Sequence, residues 1–155
     1  MHPSVSHVVS ALRAAGASGE VRVLDESART AAEAAAALGC EVGAIANSLV
    51  FTADGEPLLV MTSGAHRVDT GAVAALLGVQ RVTRADPDTV RAATGQVIGG
   101  VAPLGHPAPL RTLVDTALQA YEQVWAAAGH PHAVFPTSYD ELLRLTGGRP
   151  AAVAG

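Results

Sequence analysis

Apolar residues in this chain switch repeatedly between helical and strand spacing, and each switch predicts an element. Pro3 to about Ala15 predicts a first helix, with Pro tolerated in its first turn and Gly16 after its end. Val21-Arg22-Val23-Leu24 alternates and predicts a short strand. Thr30-Ala31-Ala32-Glu33 has the form of a capping box ahead of an Ala-rich helix to Leu38, with Gly39 as its C-cap. Ile45 to Thr52 and Pro57 to Thr62 are apolar, β-branched runs. The Asp54-Gly55 pair between them predicts a hairpin. Asp69 caps a helix through Leu77 that Gly78 ends, and Gln80 to Thr83 predicts a short strand. Asp86-Pro87-Asp88 opens a helix that closes at Thr94-Gly95. Arg111 to Asp115, Gln123 to Ala127 and His132 to Phe135 read as strands. Thr137 or Ser138 caps a last helix through Leu145, with Gly147-Gly148 beyond. Helices mixed with a hairpin and short strands predict an α/β (α+β) domain over residues 1–155. A curved mixed sheet or barrel with surrounding helices fits this order better than a doubly wound sheet.

Composition narrows the classes of function. The chain has 155 residues, 49% of them hydrophobic, enough for one buried core. All 10 basic residues are Arg, against 14 acidic ones, so 10 − 14 gives the net charge of −4. That balance argues against a general polyanion binder and no helix is basic, so no DNA partner is expected, although a local Arg patch can still meet a nucleic acid. The single cysteine, Cys40, excludes an intramolecular disulfide and any multi-Cys metal site. No stretch has the length of a membrane span, and the expectation is a cytoplasmic protein. The absence of Lys beside abundant Ala, Gly and Arg points to a GC-rich genome.

Residues 95–107 break the helix-and-strand pattern, with Gly95, Gly99, Gly100, Gly105, Pro103 and Pro107 among Val and Ile. Glycines let a ligand approach the backbone, and successive N–H groups in such a turn can hold an anion or a carbonyl oxygen. Pro103 would stiffen the loop and keep those donors ready for the oxyanion of an ester hydrolysis. A tight bend in a curved sheet would use the same residues, and composition alone slightly favours the bend. A second candidate is Asn47-Ser48, two adjacent polar residues within a strand. Neighbours on a strand face opposite sides, so at least one must be hydrogen-bonded inside or line a cavity. His130-Pro131-His132, His66 and His106 lack metal-binding spacing, so surface positions are expected for them and no metal is assigned. Ser48 and Ser63 lack a nucleophile elbow. Arg81, Arg84 and Arg91 read as a solvated face, and Tyr121, Trp125 and Phe135 as core.

Thr94-Gly95-x-x-x-Gly99-Gly100-Val101-x-Pro103-Leu104-Gly105-His106 strongly resembles the signature loop of the YbaK family, the aminoacyl-tRNA deacylases related to the editing domain of prolyl-tRNA synthetase. Thr30–Gly39, Ile45–Phe51, Asp69–Gly78 and Phe135–Gly147 are similar to that family's elements in order, so the resemblance covers roughly residues 20 to 148. It implies a trans-editing hydrolase that cleaves the ester of a mischarged aminoacyl-tRNA: cysteinyl- or alanyl-tRNA for proline, or a related error. It implies no cofactor, no metal and no covalent protein nucleophile, with water attacking. The implied partners are the tRNA acceptor end and prolyl-tRNA synthetase. Carried onto this chain, Asn47, Ser48, Gly99 and Gly100 take the catalytic positions, and Val101, Pro103, His106 and Thr30 the substrate-binding ones.

One position departs from the pattern. The family strand usually reads Lys-Ser/Thr-Leu, whereas here it reads Asn47-Ser48-Leu49. Asn is neutral and shorter, so it cannot supply the cation, although its amide can still donate. Genome bias alone would favour Arg as the replacement. Two readings stay open: a deacylase with a different local solution, or a catalytically weak or inactive module of the same fold that binds tRNA or a small ligand.

Overall fold

The structure, a computed structural model, describes residues 2–25 and 30–154. Its helices are α1 (Pro3–Ala14), α2 (Ala31–Leu38), α3 (Thr70–Leu77), α4 (Pro87–Thr94) and α5 (Tyr139–Thr146). Its strands are β1 (Arg22–Val23), β2 (Ile45–Ala53), β3 (Glu56–Ser63), β4 (Val82–Arg84), β5 (Arg111–Asp115), β6 (Val124–His130), β7 (Ala133–Thr137) and β8 (Arg149–Ala151).

Local chemistry sets most of these boundaries. Thr30, Asp69, Asp86 and Ser138 each accept an N–H three residues ahead, from Glu33, Ala72, Thr89 and Glu141. At the capping box, the Glu33 carboxylate accepts from the Thr30 hydroxyl itself at 3.1 Å. Ser138, not Thr137, caps α5, and the Thr137 hydroxyl instead donates to the Glu141 carboxylate at 2.6 Å. Asp54 (φ 49°) and Gly55 (φ 89°) turn the β2–β3 hairpin with two positive φ angles, the signature of a type I′ turn. The Asp54 carboxylate then accepts from the N–H groups of Gln80 and Arg81 at 3.0 and 2.9 Å, so the turn also steers the chain into β4.

All strands join one mixed sheet in the order β1-β7-β6-β2-β3-β5-β8, with β4 added beside β2. The curved mixed sheet expected from the sequence is therefore present. Several details differ from expectation. β4 sits at Val82–Arg84 because it pairs with the end of β2, and β6 runs to His130 through a bulge. β8 and two short 3-10 turns, Val42–Ala44 and Thr116–Ala120, lacked a sequence signal. Among the described residues, no helix is long and apolar enough to cross a membrane.

The two faces of β2 pack differently. Ala46 and Val50 face a core built from Val5, Val8 and Leu12 of α1, Leu142 of α5, and Met61 and Phe135 of the sheet. On the other face, Ile45 packs with Trp125, Val134 and Ala35 of α2. Further along that face, Phe51 packs with Leu58, Val60, Leu113 and Val73 of α3. Asn47 shares this second face by strand alternation. It stands between the two apolar clusters.

Candidate functional site

The site lies where the sheet forks. On one side β2 pairs with β3 along its whole length, from Ala46 to Ala53. On the other side it pairs with β6 only at Ile45–Ala46 and with β4 only at Phe51–Ala53. Between these contacts, Asn47, Ser48 and Leu49 have no strand beside them. The Val50 carbonyl points to this side, where it accepts from Ala85 N–H at 3.1 Å. With a strand period of two, Ser48 turns its own N–H and C=O into the fork.

A cleft of about 120 Å³ opens there. Thr30, Asn47, Ser48 and Gly99 line it, with apolar walls from Ala31, Ala34, Ile45, Leu49, Trp125, Ala127, Pro131 and Val134. Asn47, Ser48, Gly99 and Thr30 are thus brought together from three separate stretches of chain. Asn47 and Ser48 are half-buried. The Ser48 hydroxyl donates to the Met61 thioether at 3.1 Å. A thioether is a weak acceptor, so this hydroxyl is easily redirected to a ligand.

The Gly-rich segment contributes through one turn. Gly100 N–H bonds the Val97 carbonyl at 3.1 Å, and Gly99 (φ 86°) occupies the turn position that needs positive φ. Gly99 is exposed toward the cleft, whereas Gly100 is buried. A Cβ on Gly100 would lie 2.6 Å from the His130 carbonyl carbon and 2.7 Å from Pro131 N. The Gly100 carbonyl accepts from Gly129 N–H at 2.9 Å, which ties the loop to the β6 bulge. Gly100 therefore serves close backbone packing, as the tight-bend reading expects, and Gly99 faces the cleft.

The other predicted loop residues point away from the cleft. Val101 is buried in the α1-side core, and Pro103 is buried. Pro103 and His106 line a separate shallow groove with Leu110 and Leu145. His106 Nε2 donates to the Ala102 carbonyl at 2.8 Å. Burial pushes the His106 pKa below the ordinary histidine value, opposed by this hydrogen bond. Gln96, which sequence reasoning passed over, braces the segment: its Oε1 accepts from Ala102 N–H at 2.7 Å and its Nε2 donates to the Leu104 carbonyl at 3.3 Å. His7 of α1 adds a contact to the Gly105 carbonyl at 3.0 Å.

Other ionisable groups are placed for structure. His66 is not a simple surface residue, because its Nε2 bonds the carboxylate of Asp115, which is 1% exposed. Asp115 also accepts from Ser63 N–H and Ala117 N–H at 2.9 and 3.0 Å. Ser63, His66 and Asp115 have the composition of a catalytic triad without its geometry, since the Ser63 hydroxyl donates to the Gly43 carbonyl at 2.8 Å. The rings of His2, His130 and His132 meet in a tilted row, 5.1 and 5.5 Å between centroids, and burial followed by the charges of His2 and His132 lowers the His130 pKa. Among the described residues, no group of three or more His, Cys, Asp or Glu side chains could hold a metal ion.

The structure is a mixed α/β domain whose sheet forks over a small, mainly apolar cleft, with a braced Gly turn at its lip. The family model of the aminoacyl-tRNA editing domain matches residues 25–145, and the chain belongs to that family. A solved structure described as a proposed trans-editing enzyme for prolyl tRNA synthetase is 42% identical, with a TM-score of 0.94 over 100% of this chain and 99% of that one. The hypothetical protein APE2540 is 29% identical, with a TM-score of 0.86 over 96% of this chain and 99% of that one. YwhH of Bacillus subtilis (strain 168) is 27% identical over 128 residues, covering 82% of this chain and 81% of that protein. The proline--tRNA ligase of Nitratidesulfovibrio vulgaris (strain DP4) is 33% identical over 92 residues, 59% of this chain. The match spans only 16% of that ligase.

Proposed function

We propose that the chain is a trans-editing deacylase, cleaving the ester between a wrong amino acid and the 3′ end of a tRNA, and that it works beside prolyl-tRNA synthetase. The observation that carries this reading is the single cleft shared by Asn47, Ser48 and the Gly99 turn. A volume of about 120 Å³ amounts to roughly four waters at ~30 Å³ each, which suits a small aminoacyl group and leaves the nucleoside outside. Its apolar walls suit an uncharged side chain such as that of Cys or Ala. The acyl carbonyl then meets neutral donors: the Ser48 N–H and hydroxyl, the Asn47 amide and the Gly99 turn. Water attacks the carbonyl carbon, the tetrahedral oxyanion takes hydrogen bonds from those donors, and the ribose hydroxyl leaves with a proton. The sheet runs from β1 to β8, which supports treating the chain as one editing unit.

The test is release of amino acid from a panel of mischarged tRNAs, including cysteinyl- and alanyl-tRNA for proline. Release from at least one, with correctly charged prolyl-tRNA spared, supports the reading, and no release above the uncatalysed rate overturns it. A second reading draws on one observation: among the described residues, none of the side chains lining the cleft is ionisable. In that reading the protein binds the acceptor end without turnover.

A further inference from the structure

We propose that Arg22 is a substrate-binding residue of the cleft, its guanidinium held over the Trp125 indole so that it takes a phosphate of the nucleotide carrying the acyl group. The ligand's identity rests on the deacylase reading above, while the placement rests on geometry alone. Arg22 lies in β1 and pairs with Val134 of β7. Directly opposed residues of an antiparallel pair share a face. Val134 is a wall of the cleft, so Arg22 projects on the cleft side. Its Cζ stands 5.0 Å from the centre of the Trp125 ring. Trp125 is 6% exposed and lines the same cleft, so the ring is a fixed platform, whereas Arg22 itself is exposed at the rim.

A cation–π contact with a ring does not use the N–H donors of a guanidinium that point away from the ring. Among the described residues the ion pairs are His66–Asp115 and Arg144–Glu141, and neither occupies Arg22. The planar fork of a guanidinium matches a phosphate with two parallel hydrogen bonds. The cleft has use for such a group, because its lining among the described residues carries no charge and Asn47 is neutral. A nucleotide whose acyl group enters the cleft leaves its phosphates outside, at the rim. Arg22 thus supplies from a neighbouring strand the cation that position 47 lacks.

Trp125 is the only Trp in the chain, so its fluorescence reports on this contact. The intact protein is titrated with the ribotrinucleotide cytidine-cytidine-adenosine, which reproduces the 3′ end of a tRNA and its phosphodiesters. Saturable change of Trp125 emission is expected. Arg22→Gln should weaken the affinity roughly tenfold or more, the usual scale of a charged hydrogen-bonding contact. Arg22→Lys, which keeps the charge and loses the planar fork, should fall between. The slope of log affinity against log salt should drop by about 0.7 in Arg22→Gln, the value for one phosphate contact on a single strand. Arg149→Gln, on β8 at the opposite edge of the sheet, removes the same charge and serves as the control. The proposal is overturned if Arg22→Gln weakens binding no more than Arg149→Gln, or if the wild-type protein gives no saturable response. Deacylation measured on the same samples separates the two readings. Turnover that is indifferent to Arg22 sinks this proposal alone, and Arg22-dependent binding without any turnover sinks the deacylase reading alone.

Discussion

Ala102 donates its N–H to Oε1 of Gln96 at 2.7 Å, and both residues are buried. The same Gln96 amide donates to Leu104, so one side chain satisfies two backbone groups of a segment that has no ladder of its own. Gln96→Leu keeps most of the volume and removes both bonds. The orphaned Ala102 N–H should cost about 1–3 kcal/mol, the penalty of an unmet buried donor. For a chain of this size, each kcal/mol lowers the melting temperature by roughly 2–4 °C. Because the Gly99 turn is anchored by this segment, deacylation should fall as well. An unchanged melting temperature in Gln96→Leu would remove Gln96 from the role of brace.

Gly99 and Gly100 should respond differently to the same methyl group. A Cβ on Gly100 meets the His130–Pro131 backbone at 2.6–2.7 Å, and backbone cannot step aside cheaply. Gly100→Ala should therefore lose stability by about 1–3 kcal/mol, as overpacked sites do. On Gly99, a Cβ would have Pro131 at 3.9 Å as its nearest neighbour, but φ is 86°. Gly99→Ala should cost only about 1–2 kcal/mol of conformational strain. It should also lower turnover, because the methyl group projects beside the ligand space. Paired melting curves and rates check both expectations. A Gly100→Ala protein as stable as the wild type would contradict the packing assignment.

The caps and the hairpin were legible because their signals are local. Thr30, Asp69, Asp86 and Ser138 sit at helix starts with the residue types that bond an orphan N–H, and Asp54-Gly55 has the one turn chemistry that a two-residue hairpin favours. The pairing of Asn47 and Ser48 with the Gly-rich loop came from strand alternation and from the family resemblance. The fork itself was not legible, since it depends on where β6 and β4 leave β2, and those partners come from residues 124–130 and 82–84. The division of labour within the loop was hidden for a similar reason. Nothing in Gly99-Gly100-Val101-x-Pro103 shows that Gly100 abuts His130, that Val101 enters the core, or that Gln96 closes the segment. β8 was missed because Arg149-Pro150-Ala151 is short, carries a Pro, and earns its place only by lying parallel to β5.

His106 gives the protein a pH-dependent element. Its folded-state pKa lies below the ordinary value of 6.5 because burial disfavours the charged ring. Below that pH the unfolded chain takes a proton that the folded chain resists, so stability is full above about 6.5 and declines as the pH falls toward the folded pKa. His106→Gln keeps a donor near the Ala102 carbonyl and cannot take the charge. Urea midpoints at about pH 7.5 and about pH 5.5 bracket the ordinary histidine range. The wild type should lose more between them than His106→Gln does. Equal losses would assign the acid sensitivity to other groups.

Asn47→Lys tests the cleft most directly. Asn47 is half-buried, on the β2 face between the Ile45 and Phe51 clusters, and it borders open space. A Lys there has room to extend along the cleft, so its ammonium can stay in contact with water, and the melting temperature should change little. If the side chain were enclosed instead, the variant would bury an unpaired ammonium and lose stability by several kcal/mol. The gain should appear in turnover. A cation beside the ester oxygens and the nearest phosphate makes charge-assisted hydrogen bonds, roughly twice as strong as those of the neutral amide. Deacylation of a mischarged tRNA should therefore rise, by about tenfold if the difference is near 1.4 kcal/mol in the transition state. The gain should be larger in an Arg22→Gln background, because there the added cation replaces the one that Arg22 supplies at the rim. Melting temperature and rate read on one sample separate the cases. A stable Asn47→Lys protein with no gain on any mischarged tRNA would mean that no ester reaches position 47, and the binding reading of the cleft would then stand ahead of the deacylase one.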